Sequence, residues 1–224
     1  MVNVVGNWGA GNIWCVTSGA FSSNAYFCEA QVQGGGILID AGLDGLTIDA
    51  ELSELGLRPS AVFCTHGHFD HTGSASHFQK KYDCQVFVPK ADNKLMKASN
   101  FMLMAMKIKH KVVLPDATLV EADHVANVAG TSLRYMPAPG HTPGSCIIEF
   151  GNAWFTGDTL YARGIGLSYL PGEDQALLKQ TILSYWDDLT PDRTIYPGHG
   201  KAANGYLVRT GNDALLDFLG MSAS

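Results

Sequence analysis

Thr65-His66-Gly67-His68-Phe69-Asp70-His71-Thr72-Gly73 is the stretch that decides the fold. Three imidazoles and a carboxylate fall within residues 66–71. The segment follows an apolar run, residues 61–64, that predicts a buried strand. Neutral imidazole nitrogen and carboxylate oxygen form the donor set that suits zinc, iron and manganese. One segment therefore supplies most of a metal site, with donors enough to serve two.

Four other places set ligand-type side chains in special backbone. Pro139-Gly140-His141-Thr142-Pro143-Gly144 puts a histidine in a Gly/Pro turn ahead of a predicted strand. Thr156-Gly157-Asp158-Thr159 puts a carboxylate just after a strand, and Tyr196-Pro197-Gly198-His199-Gly200 repeats the strand, turn, histidine order. Leu38-Ile39-Asp40-Ala41-Gly42 ends another strand with a carboxylate. Polar side chains at strand ends converge on one edge of a layered fold, where loops build sites. Asp40 is expected to accept a hydrogen bond from a ligand rather than to ligate. His77, His110 and His124 fall outside the pattern; His77 reads as helix surface and the other two as loop or strand-edge residues.

Around these motifs, apolar alternation predicts strands over 12–17, 24–28, 36–40, 61–65, 85–88, 119–121, 132–136, 145–150, 153–156 and 194–196, with Gly34-Gly35-Gly36 as a hairpin turn. Helical spacing predicts helices near 48–55, 75–82 and 174–185 and a short one at about 212–219. Leu95, Met102 and Met106 mark a further, Met-rich helix, read as core packing or a homodimer face, with a soft lid over a substrate as the alternative. Strands in groups, with helices between and after them, suit two packed sheets covered by helices.

Composition narrows the function. At 224 residues, 46% hydrophobic and 16% charged, the chain is large enough to bury about 70% of its unfolded surface without disulfides. The five cysteines form no C-x-x-C pair, which argues against a thiolate zinc site and for buried, reduced thiols in a cytoplasmic protein. No Lys or Arg precedes Arg58, and the net charge is −6. That balance disfavours a nucleic-acid partner. The N-terminus lacks the basic region of a secretory signal, and no apolar run approaches the ~20 residues that span a bilayer. The expected partner is a small-molecule substrate, with no membrane involved.

The series H-x-H-x-D-H followed by a distant His, Asp and His resembles the metallo-β-lactamase superfamily, from about residue 24 to about 200. The resemblance implies an α/β architecture, a four-layer αββα sandwich, as a single domain over 1–224. It implies that His66, His68 and His141 hold a first metal and that Asp70, His71 and His199 hold a second, with Asp158 bridging. G-H-T-P-G-S at 140–145, G-D-T-L at 157–160 and Y-P-G-H-G at 196–200 are most similar to glyoxalase II and its small relatives. A bridging carboxylate at Asp158 is not the pattern of a true β-lactamase.

Two divalent cations, zinc by preference with iron or manganese as alternatives, would share a hydroxide, lowering the pKa of water from 15.7 to about 7. Asp70 would ligate and orient that nucleophile. A thioester or similarly activated acyl group suits such a site, because a thiol of pKa near 8.5 leaves without a proton donor. Tyr161, three residues after Asp158, stands where related lactonases carry a tyrosine and could donate a proton or polarise a carbonyl. Persulfide dioxygenases share the pattern with one iron, on residues matching His66, His141 and Asp158. The chain departs from its relatives at Gly164-Ile165-Gly166-Leu167, where glyoxalase II-like enzymes carry a basic residue in place of Leu167. Arg163, Lys201 and Arg209 are the substitutes for that anion contact, each also readable as a solvated charge.

Overall fold

The computed structural model describes residues 2–9, 11–30, 35–128 and 130–221. Its elements run β1 (Val2–Asn7), β2 (Asn12–Ser18), β3 (Ser23–Glu29), β4 (Gly35–Ile39), α1 (Gly45–Glu54), β5 (Arg58–Phe63), α2 (Phe69–Thr72), α3 (Ala75–Tyr82), β6 (Gln85–Pro89), α4 (Asn93–Lys97), α5 (Ser99–Ala105) and β7 (Ala117–Val120). The second half runs β8 (Val125–Val128), β9 (Thr131–Pro137), β10 (Cys146–Phe150), β11 (Ala153–Gly157), α6 (Gln175–Ser184), β12 (Thr194–Pro197), β13 (Ala203–Asn204), α7 (Gly205–Gly211) and α8 (Asp213–Leu219).

The first sheet keeps chain order, β1 to β7. Its early pairs are antiparallel and those from β4 to β7 are parallel, with helices as the crossovers. The second sheet runs β13-β12-β11-β10-β9-β8, with only β11 and β12 parallel.

The period-2 alternation of each strand assigns its side chains to different layers. Ile37, Ile39 and Phe63 join Tyr135, Ile148 and Phe155 between the two sheets. Their neighbours Leu38 and Val62 face the other way, against Ile48, Leu52 and Phe78 of α1 and α3. Ile147, Trp154 and Ile195 back the second sheet against Leu178 and Ile182 of α6 and Val208 and Leu215 of α7 and α8. The result is the expected αββα sandwich. Strands buried on both faces read as unbroken apolar runs, which is why 37–39 and 61–64 stood out.

Several expectations change. Gly35 and Gly36 belong to β4 rather than to a hairpin turn, and Gly34 lies outside the described residues. The Met-rich helix is two helices, α4 and α5, parted at Ala98. Met96 is buried as core, whereas Phe101 and Met104 are exposed, so the core reading holds for only one face. His77 is half-buried rather than plain surface, because its Nε2 meets Asp49 of α1 at 2.8 Å. Strands β1, β8 and β13 and helix α7 went unpredicted; β1 and β8 are edge strands with exposed Val4 and Val125, β1 burying no residue and β8 only Ala126, too little to impose an apolar pattern.

Candidate metal centre

The seven residues singled out in the sequence meet at one edge of the sandwich. His66 and His68 lie in the loop after β5, and Asp70 and His71 sit in the single turn α2. His141 follows β9, Asp158 follows β11 and His199 follows β12. Ligand-type atoms gather in three overlapping groups, His66/His68/His141, His66/His71/Asp158 and Asp70/His71/His199, each within 4.8 Å. His68 Nδ1 lies 3.1 Å from His66 Nε2 and 3.0 Å from His141 Nε2. Asp158 stands between the two halves, its oxygens 3.5 Å from Nε2 of His71, of His141 and of His199. Asp70 Oδ2 is 3.4 Å from His199 Nε2 and 3.6 Å from His71 Nε2.

Hydrogen bonds behind the rings fix their tautomers. Asp40 Oδ2 lies 2.9 Å from Nδ1 of His71, so that nitrogen carries a proton and Nε2 is the atom turned to the site. Thr65 Oγ1 donates to Asp40 at 2.8 Å and therefore accepts from His66 Nδ1, 3.0 Å away. The Gly166 carbonyl, 3.2 Å from His141 Nδ1, does the same for that ring. Asp40 thus has the supporting place expected of it.

The sequence reading missed Asp92. It is fully buried after β6 and accepts from Gly67 N–H at 2.8 Å, Thr142 Oγ1 at 2.6 Å and Gly144 N–H at 2.7 Å. Its carboxylate ties the loop of His66 and His68 to the loop of His141. Asp92 stands three residues past the end of β6, not directly after the strand as Asp40 and Asp158 do, and its partners are 25 to 52 residues away, so no local signal marked it. Asn24 was missed too; its Nδ2 donates to the carbonyls of Pro197 and Gly200, which flank His199.

Burial, and then the neighbouring histidines, hold His66 well below the ordinary histidine value, and burial lowers His68 to about 4. Burial also disfavours charge on His71 and His199, but carboxylates overrule it. Asp158, Asp70 and Asp40 hold His71 well above its ordinary value, and Asp158 and Asp70 raise His199 to about 10. Burial thus disfavours charge on His66 and His68, whereas the carboxylates beside His71 and His199 make a negative pocket that draws positive charge.

These residues fit metal ions. His71 Nε2 and Asp158 Oδ1 are buried with no hydrogen-bond partner, 3.5 Å apart. Leaving such atoms unsatisfied costs about 1–3 kcal/mol each, a cost that coordination removes. Glycine makes the close approach feasible: a Cβ on Gly198 would sit 2.6 Å from His71 Cε1 and would strike Asp158.

Residues 18–199 match the family model of the Metallo-beta-lactamase superfamily. The chain belongs to that superfamily. It is similar to a probable metallo-hydrolase of Bacillus subtilis, 31% identical over 188 residues, 81% of this chain and 87% of the relative. It is also similar to a hydroxyacylglutathione hydrolase of Haemophilus influenzae, 27% identical over 172 residues, 73% of this chain and 79% of that one. Among solved structures, TTHA1623 in a di-iron-bound form superposes with a TM-score of 0.77 at 28% identity, covering 88% of this chain and 98% of that chain. Membership, with relatives named metallo-hydrolase, makes the chain a protein of the metal-dependent hydrolase type, and its His/Asp cluster is of the kind that could hold a metal.

Tyr161 and Leu167 line a cleft that opens onto His68, His141, Asp158 and His199. Gly166 lets the Tyr161 ring in, since a Cβ there would meet its hydroxyl at 2.7 Å. Burial and the charges of Asp158 and Asp70 push the phenol far above its ordinary value, so it keeps its proton. Arg209 is committed elsewhere, to Asp187 at 3.6 Å and the Trp186 ring. Arg163 and Lys201 have no acidic partner among the described residues. All five cysteines are buried and free, and no described helix is long and apolar enough to cross a membrane.

Proposed function

We propose that this protein is a dinuclear metallohydrolase that cleaves a thioester or similarly activated acyl compound. The observation that carries the reading is Asp158, placed 3.5 Å from a histidine of each half of the cluster. His66, His68 and His141 would hold one cation, Asp70, His71 and His199 the other, and Asp158 both. Such a pair, when bound, supplies an activated water at neutral pH and stabilises a developing oxyanion. Asp40, Thr65 and Asp92 keep the donors aligned. Asp70 orients the nucleophile from the side of His199.

The donor set accepts zinc, iron or manganese; zinc is the proposed resident, and the di-iron form of TTHA1623 makes iron the first alternative. Elemental analysis of protein purified without added metal tests this, with about two ions per chain expected. Asp70→Ala should abolish thioester hydrolysis; full activity in that variant would overturn the reading. A single iron with oxygen uptake on a persulfide would instead favour the dioxygenase alternative. Lactone hydrolysis is a second reading, favoured by the protonated Tyr161 at the cleft.

A further inference from the structure

Two recesses flank His199, and their chemistry differs. The first, of about 380 Å³, is the cleft over the metal centre. Its walls come from three distant parts of the chain: Phe21 against Phe69, ring centroids 5.1 Å apart; Met106 beyond α5; and Ile165, Leu167 and Leu170 from the loop between β11 and α6. No Lys or Arg lines it. The second, of about 400 Å³, holds Arg163 and Lys201 beside His199 and Gly200. The apolar wall and the two cations thus belong to separate recesses that share one site histidine.

The apolar wall is preformed. Asn212, buried, accepts from Gly164 N–H at 2.9 Å and donates to the carbonyls of Tyr161 and Gly164. Glu173 Oε2 closes the other end, accepting from Ser168 N–H at 2.6 Å, Ser168 Oγ at 2.7 Å and Tyr169 N–H at 3.0 Å. A loop fixed at both ends presents its apolar side chains without an ordering cost on binding.

We propose that the substrate is the thioester of a neutral, apolar acyl chain with a phosphate-bearing thiol, the chain lying on Leu167 and its neighbours and the phosphate on Arg163 and Lys201. This rests on the hydrolase reading above. A carboxylate on the acyl part finds no Lys or Arg along the apolar walls to pair with, and burying it there unpaired is costly. In the other recess beside His199 two unpaired cations offer a dianion what the cleft does not. In the reaction the water oxygen bonds to the acyl carbon and the C–S bond breaks with its electron pair on sulfur. The carboxylate, the thiol and a proton leave.

The test compares acetyl and hexanoyl thioesters of coenzyme A, of 4′-phosphopantetheine and of phosphate-free N-acetylcysteamine, with hexanoyl-glutathione as a further arm, all on the metal-loaded protein. Four added methylenes should raise kcat/KM about ten-fold or more. Removing both cations in Arg163→Ala/Lys201→Ala should raise KM for the phosphate-bearing thioesters about ten-fold more than for the phosphate-free one, with kcat unmoved. A ten-fold effect on coenzyme A alone places the contact on its nucleotide; the same effect on phosphopantetheine places it on the shared phosphate. No gain with chain length, equal shifts in KM for charged and uncharged thiols, or glutathione as the best thiol would overturn the inference while leaving the hydrolase reading intact. Failure to cleave any thioester would remove both.

Discussion

The carboxylate of Asp92 receives the backbone N–H of Gly67, the residue between His66 and His68, at 2.8 Å. The same carboxylate holds Thr142 and Gly144 beside His141, so one buried side chain sets the spacing of all three imidazoles of one half-site. Asp92→Asn keeps the shape but turns an –NH2 toward a donor. A buried donor left unpaired costs about 1–3 kcal/mol. Loss of such outer support typically weakens metal binding about 10–100-fold. Titration calorimetry should show one of two metals bound that much more weakly, and an unchanged isotherm would remove Asp92 from the site.

Gly198→Ala adds one methyl group, yet its Cβ would lie 2.6 Å from His71 Cε1. Either His71 or Asp158 must move. The expected result is a folded protein with less than two metals per chain and hydrolysis reduced at least about 100-fold, read by elemental analysis and initial rates.

Tyr161→Phe separates leaving groups. A thiolate departs unaided, whereas an alkoxide benefits from a proton donor, an effect of about 10²–10⁴-fold. Lactone turnover should fall by at least the lower figure and thioester turnover by only a few-fold. Unchanged lactone turnover would leave Tyr161 as a packed wall residue.

Metal removal should destabilise as well as inactivate. At saturating metal, a ligand present at 100 times its Kd stabilises the fold by about 2.7 kcal/mol. Chelation should therefore lower Tm by several degrees, with zinc, iron or manganese restoring it; a Tm indifferent to chelator and metal would contradict the site.

Asp49 makes stability depend on acid at a point away from the site. Burial pushes its carboxyl up, but Lys81, Tyr82 and His77 donate to it and hold it below the ordinary carboxylate value. A carboxyl lowered on folding contributes fully above its unfolded pKa and loses that contribution as pH falls through its folded value. Asp49→Asn should therefore destabilise the link between α1 and α3 at pH 7 by about 1–2 kcal/mol, and the deficit should shrink toward pH 3. Urea melts at both pH values measure it.

Strand-end motifs were legible because their chemistry is local. A histidine two residues from another, after an apolar run and before a glycine, has few purposes, and buried central strands write themselves as continuous Val, Ile, Leu and Phe. Edge strands β1 and β8 were illegible for the converse reason, as were the contacts that Asp92 and Asn24 make to the site loops, which span 25 to 176 residues. The Met-rich segment is two helices because Ala98 ends α4 and opens α5, a break that the helical spacing of Leu95, Met102 and Met106 does not show.

By itself, the sequence pointed to the αββα family, to seven residues of metal-donor type and to Leu167 where glyoxalase II-like relatives carry a basic residue. The tertiary structure put Asp158 3.5 Å from a histidine of each half, as the family resemblance implied, and it alone decided that Asp40, Thr65 and Gly166 hold imidazoles by their Nδ1 atoms and that the apolar cleft and the recess of Arg163 and Lys201 meet at His199. The reason is physical. Residue type and neighbours in the chain dictate which atoms can ligate, whereas hydrogen-bond direction, charge balance and the shape of a recess arise only when segments far apart in sequence share one edge of two packed sheets.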